Sequence, residues 1–184
     1  RWVPGSSGIQ FVSPGAVVQS RGAAAKLYNA LTATNELTVE VWVTPASLSQ
    51  EGPVRLVTMS GGTWKQQVNF HVGQEYRAVS FRVRTLCSSF NETLGQQAFA
   101  DTETPRHVVA TYDGAVKRVY VDGVVREDTD ALEGDFSNWD PSYPLAIGNE
   151  VSLNRSFLGT IYLVAVYDRA LTDAEVVSNF NAGP

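Results

Sequence analysis

Valine recurs at every second position through Thr38-Val39-Glu40-Val41-Trp42-Val43, so Val39, Val41 and Val43 share one face and Thr38, Glu40 and Trp42 the other. Side chains two residues apart lie together on an extended strand, and β-branched residues favour that backbone. Phe81-Arg82-Val83-Arg84 alternates in the same way; Arg77, Arg82 and Arg84, interleaved with Val79, Phe81 and Val83, read as the outer face of a strand. A period of two therefore dominates and predicts an all-β protein. His107 to Tyr112 and Ile161 to Tyr167 are more continuously apolar, as expected of strands covered on both faces.

The pairs Asp113-Gly114 and Asp122-Gly123 bracket a strand-length segment, Ala115 to Val121. Asp-Gly accepts positive φ at both central positions, which suits the type I′ turn of a tight hairpin. His107 to Arg126 thus reads as a three-stranded meander. The convincing helical signal comes late: Thr172 with Glu175 three residues on forms a capping box, Leu171 and Val176 a hydrophobic staple, and Asn181-Ala182-Gly183 a stop. Earlier, Gly8 to Phe11 and Ala16 to Val18 look like short strands and Ala23 to Leu31 like a helical turn or two. Ser47 to Pro53, Ser60 to Lys65, Ser88 to Gln97, Thr102 to Pro105 and Gly134 to Pro144 have loop compositions.

No linker, repeat or shift in composition divides residues 1–184, so one domain is expected. A chain of this length buries roughly 70% of its unfolded surface and needs no metal or disulfide merely to fold. A net charge of -5 with scattered basic residues leaves no footprint for nucleic acid. Cys87 is the single cysteine, and no Cys/His group has zinc spacing. No apolar run approaches the ~20 residues of a membrane span. Arg1-Trp2-Val3-Pro4-Gly5 lacks the apolar region of a signal peptide, as expected of a mature or excised piece.

Four segments in order resemble the laminin-G-like domains of the concanavalin A-like lectin/glucanase superfamily. They are Leu37 to Pro45; His107 to Gly114 with Val119 to Gly123; Pro144-Leu145-Ala146-Ile147-Gly148-Asn149; and Phe157 to Ile161 with Val166 to Thr172 and Glu175. The resemblance spans residues 9 to 183. It implies a two-sheet antiparallel jelly-roll sandwich with one short C-terminal helix. It also implies an exported, cell-surface or periplasmic setting, and carbohydrate or protein as partner. Many relatives hold a structural calcium ion. Here Tyr162 follows Gly159-Thr160-Ile161 where such relatives often have an aspartate nearby, and Val12 follows Phe11 where they often have another. Calcium needs six to eight oxygen ligands, so the usual site is weakened.

The enzyme branch of the superfamily uses a Glu-x-Asp-x-Glu strand. The acidic stretch Glu127-Asp128-Thr129-Asp130-Ala131-Leu132-Glu133 has other spacing and lies where the meander should run into a loop. His71 and His107 stand in no hydrolase or metal pattern, and His107 is expected to hydrogen-bond inside the sandwich. No catalytic residue is assigned and no cofactor is required.

Sugar rings stack their C–H faces on Trp and Tyr, while amides and carboxylates orient the hydroxyls. Asp135 to Tyr143 supplies both, through Asn138, Trp139, Asp140 and Tyr143; Phe136 and Trp139 serve either as a platform or as pins for a long loop. Asn149 and Glu150 are expected to return to the same rim, and Trp64, in a Gly-rich loop, is a second platform. Asp135, Asp140, Asn149 and Glu150 form an alternative, non-standard cation set. The expected function is a non-catalytic, carbohydrate-binding module of a larger exported or surface protein. A structural or protein-interaction domain and a glycoside hydrolase or lyase with an atypical site are the alternatives.

Overall fold

A computed structural model describes residues 1–3, 5, 8–87, 91–95, 97–129 and 134–184, for 91–94 and 128–129 the backbone alone. The strands are β1 (Ile9–Phe11), β2 (Val18–Gln19), β3 (Leu37–Pro45), β4 (Val54–Ser60), β5 (Val68–Glu75), β6 (Ala78–Val83), β7 (Asn91–Gly95), β8 (Arg106–Tyr112), β9 (Lys117–Val121), β10 (Val124–Thr129), β11 (Leu145–Ile147) and β12 (Gly159–Tyr167). Two helices, α1 (Ala25–Thr34) and α2 (Asp173–Ala182), accompany them. The strands form two six-stranded sheets, β1-β12-β3-β8-β9-β10 and β2-β11-β4-β5-β6-β7, antiparallel in every pairing. This is the expected jelly-roll sandwich.

The alternation of β3 sorts its side chains as predicted. Leu37, Val39, Val41 and Val43 enter the core between the sheets with Val108 and Ala110 of β8 and with Leu56, Phe70, Val72, Val79 and Phe81 of the other sheet. Thr38, Glu40 and Trp42 point the opposite way, and α2 covers them. Trp42 stacks on Phe180 (centroids 5.9 Å apart, planes at 11°), while Leu171 and Val176 pack with Val109 and Tyr120. The capping box forms in both directions between Thr172 and Glu175.

Glu40 fastens this layer. Its carboxylate lies 2.9 Å from His107 Nε2 and accepts hydrogen bonds from Tyr167 Oη (2.7 Å) and Asn179 Nδ2 (2.9 Å). Burial pushes the Glu40 carboxyl up, but His107, Tyr167 and Asn179 together outweigh it and hold the pKa below its ordinary value. A depressed carboxyl pKa adds stability that is present above the unfolded value of about 4.3 and lost as pH falls through the folded value. The melting temperature is therefore expected to fall more steeply below about pH 4 in the wild type than in Glu40→Gln. Parallel acid limbs would show that Glu40 gives no such linkage.

Several expectations change. The helix after Ala23 is longer than one or two turns and has no side-chain N-cap, while Asn35 closes it with φ of 58°. β12 is half-exposed from Tyr162 onward, because β1 pairs only with Gly159 to Ile161 and leaves the rest at the sheet edge. Asp122-Gly123 makes the tight turn, with φ of 53° and 77°, whereas Asp113 receives the amides of Ala115 and Val116 in a longer loop. β7 falls within a segment read as loop; pairing with β6, not local alternation, makes it a strand. Glu127 to Thr129 end β10 rather than a loop, and 130–133 lie outside the described residues. Among the described residues, neither helix is long and apolar enough to cross a membrane.

A polar, arginine-lined face as the candidate binding site

Strand pairing brings three polar rows together on the outer face of the second sheet. Arg55 of β4 stands beside Gly73 of β5, which pairs with Ser80 of β6. Thr58, His71 and Arg82 are direct partners across the same three strands. Asn69 lies beside Arg84, whose N–H donates to the Asn69 carbonyl (2.9 Å) and whose Nη2 donates to Asn69 Oδ1 (2.9 Å). The inward residues between them, Phe70, Val72, Val79, Phe81 and Val83, belong to the core, so alternation forces these polar groups outward.

The β11–β12 loop folds onto this face. Asn149 Oδ1 accepts the backbone N–H groups of Glu150 (2.8 Å) and Arg155 (3.0 Å). The Arg155 carbonyl in turn accepts from Arg55 N–H (2.9 Å), which ties the loop back to β4. Glu150, fully buried, receives Arg55 Nε at 3.1 Å and the Ser60 hydroxyl. Burial lowers the Arg55 pKa to about 10, with the neighbouring Glu150 carboxylate working against the fall. His71 is fully buried, and that burial, then the charges of Arg55, Arg82 and Arg155, drive its pKa well below the ordinary value. A histidine so placed is neutral at pH 7. His71 Nε2 lies 3.2 Å from Ser80 Oγ, while His71 Nδ1 and Arg155 Nε are buried without a hydrogen-bond partner.

The residues singled out in the sequence are dispersed around this face. Trp139 is a correction: it is 4% exposed, one face stacks on Phe136 (4.1 Å, 15°), Phe70 lies at 5.9 Å, and its Nε1–H donates to the Arg84 carbonyl. Space beneath the loop was there to be filled, so the indole became core and has no free face for a sugar. Asn138 is tied to the Thr85 carbonyl (2.7 Å), although its Oδ1 is left without a partner. Asp135 and Asp140 each turn back on the serine two residues later, Ser137 and Ser142, which hold both carboxyls below their ordinary pKa. Asn149 and Glu150 are buried parts of the scaffold, not rim groups. The proposed cation set therefore does not converge, and among the described residues no group of three or more His, Cys, Asp or Glu is placed to hold a metal ion.

Two of the aromatic candidates remain available. Trp64 is 75% exposed. Tyr143 is half-buried against Gly61, where a Cβ would come within 2.6 Å of the ring, and its hydroxyl reaches the Gln66 carbonyl at 3.4 Å. Arg84 Nη1 donates to the same carbonyl (2.5 Å), so Tyr143, Arg84 and the Trp64 loop edge one end of the face. Arg55 and Arg155 carry no local sequence signal, His71 stands in no recognised pattern, and alternation marks Arg82 and Arg84 only as an outer strand face. Their positions span a hundred residues, and the arginine–valine alternation of β6 was the one local signal.

A laminin-G-type family model of the concanavalin A-like lectin/glucanases superfamily matches residues 19–177. No curated protein matches the chain in sequence. The Ruminococcus gnavus IT-sialidase CBM40 bound to α2,3-sialyllactose has a TM-score of 0.71 at 16% identity, over 96% of this chain and 100% of that one. The same CBM40 bound to α2,6-sialyllactose gives 0.69 at 16% identity, over 95% and 98%. The binding domain of botulinum neurotoxin DC in complex with rat synaptotagmin II gives 0.62 at 13% identity, over 90% of this chain and 39% of that one. At these identities the likeness is one of fold, and the family match carries the assignment: the chain belongs to the concanavalin A-like lectin/glucanases superfamily.

Proposed function

We propose that this chain is a non-catalytic carbohydrate-binding module of a larger exported or surface protein, and that it holds its glycan on the outer face of the second sheet. The observation that carries the reading is the set of half-buried arginines on that face, Arg82, Arg84 and Arg155, edged by Trp64 and Tyr143 and backed by the buried Arg55, Thr58, Asn69, His71 and Ser80. A glycan offers hydroxyls to the first and apolar ring faces to the second. Glu150, the carboxylate described at the centre, is locked to Arg55 and shielded from solvent, which leaves it unsuited to proton transfer. The two sialyllactose complexes of one similarly folded domain support the reading, and no cofactor enters it.

A glycan array together with pull-downs on insoluble polysaccharides tests it. Retention of a defined glycan set is expected, and empty results on both would sink the reading in favour of a protein partner. Trp64→Ala is expected to weaken the retained glycan about two- to tenfold, the equivalent of roughly 0.5–1.5 kcal/mol of aromatic contact. Its melting temperature should stay at the wild-type value, because Trp64 is largely exposed. Unchanged affinity would place the ring outside the site.

A further inference from the structure

Glu40 is buried beneath α2, yet it also lines a pocket of about 210 Å³ on the outer face of the first sheet. That face lies on the opposite side of the sandwich from the glycan face. Strand register builds one wall of the pocket. Leu163, Ala165 and Tyr167 of β12 pair with Trp42, Glu40 and Thr38 of β3, and alternation turns them all outward. Asn179, Ala182 and Gly183, at the carboxyl end of α2, build the other wall.

The lining is rich in acceptors and holds no cation among the described residues. Burial pushes the Glu40 carboxyl up, but hydrogen bonds from His107, Tyr167 and Asn179 hold it below its ordinary pKa, so it is ionised at neutral pH. Those three partners use three of the roughly four acceptor positions of a carboxylate and leave one open. Asn179 donates through Nδ2 to both Glu40 and Tyr167, and its Oδ1 accepts from none of the described residues. The last carbonyls of a helix lack partners within it and carry the negative end of its dipole. α2 has no basic residue in its last turn to offset that end.

These features select the ligand. One carboxylate is too few for calcium, which takes six to eight oxygen ligands. A sugar would turn hydroxyls onto the side chains of Leu163, Ala165 and Ala182, which cannot pair with them. An alkylammonium brings three N–H donors for the acceptors and an apolar stem for those three side chains. We propose that this pocket binds an alkylammonium group, with Glu40 as its counter-ion. A lysine side chain of a partner protein and a free alkylamine share that chemistry.

NMR titration of the isotope-labelled protein at neutral pH and fixed ionic strength tests it, read at the Asn179 side-chain amide and the Gly183 amide. The probes are n-butylamine, n-butanol, glucosamine and Nα-acetyl-lysine methylamide. Butylamine is expected to bind at least about tenfold more tightly than butanol, the equivalent of a hydrogen bond to a charged group. It should also bind more tightly than glucosamine. A lysine amide that outbinds butylamine supports the site with a polypeptide as the source; the reverse order supports it with a free amine. Glu40→Gln should bring butylamine down to the level of butanol. If that variant melts early, Ala165→Leu fills the pocket with Glu40 intact and should remove the butylamine response. Equal binding of butylamine and butanol, or no shift of either signal at tens of millimolar amine, overturns the site. Tighter binding of glucosamine overturns the alkyl stem, and an amine response that survives Ala165→Leu overturns the location.

Discussion

Glu150→Ala is expected to destabilise the protein by about 3–5 kcal/mol, the cost of leaving a buried charge without its partner. Arg55 is 1% exposed and Glu150 fully buried, so removal of the carboxylate strands the guanidinium away from water. The Ser60 hydroxyl loses its acceptor in the same step, although Thr58 Oγ1 is 2.8 Å away and can take part of its place. Urea unfolding measures the loss directly, and thermal melting should register it as a fall of roughly 6–20 °C. A double replacement, Arg55→Met with Glu150→Leu, is expected to recover most of the stability. An apolar pair of similar size avoids the desolvation that makes the ion pair costly. A loss below about 1 kcal/mol in Glu150→Ala would mean that water enters and serves Arg55 in its place.

Trp139→Ala is expected to cost a similar amount, about 3–5 kcal/mol, as for a large aromatic removed from a packed core. The indole is held between Phe136 and Phe70, and its N–H satisfies the Arg84 carbonyl. Truncation therefore opens a cavity and strands an acceptor at once. Glycan affinity, measured well below the lowered melting temperature, should change by less than about twofold, since no part of the ring is available to a ligand. The opposite pattern, a stable variant that no longer retains glycan, would return Trp139 to the binding surface.

These two residues mark where local sequence stops being informative. Trp139 sits among Asn138, Asp140 and Tyr143 in a segment with the composition of an exposed loop. Nothing within that segment says that Phe70, some seventy residues earlier, leaves room beneath it. Trp64 has a similar setting in a Gly-rich loop and is exposed, so composition alone could not separate the two. Glu150 follows a strand and precedes a turn, a position that suits a rim carboxylate. Its partner is Arg55, and only the return of the loop onto β4 brings them together. By contrast, His107 was legible as a structural residue. It enters a strand whose neighbours are apolar, and it does meet a sandwich partner in Glu40.

What the amino-acid sequence by itself determined is the class of fold and its local devices. These are the strand alternation at Val39, Val41 and Val43, the tight turn at Asp122-Gly123, the capping box of Thr172 and Glu175, and the order of motifs that marks the superfamily. Each depends on neighbours within a few residues, through strand period, permitted φ or a hydrogen bond across one helical turn. The tertiary structure alone decided which aromatics are buried, that β7 is a strand, and that Arg55, His71, Arg82 and Arg155 share one face. Those outcomes depend on sheet register and on the path of the β11–β12 loop. Both are set by packing between segments up to a hundred residues apart, and no short window of sequence contains them.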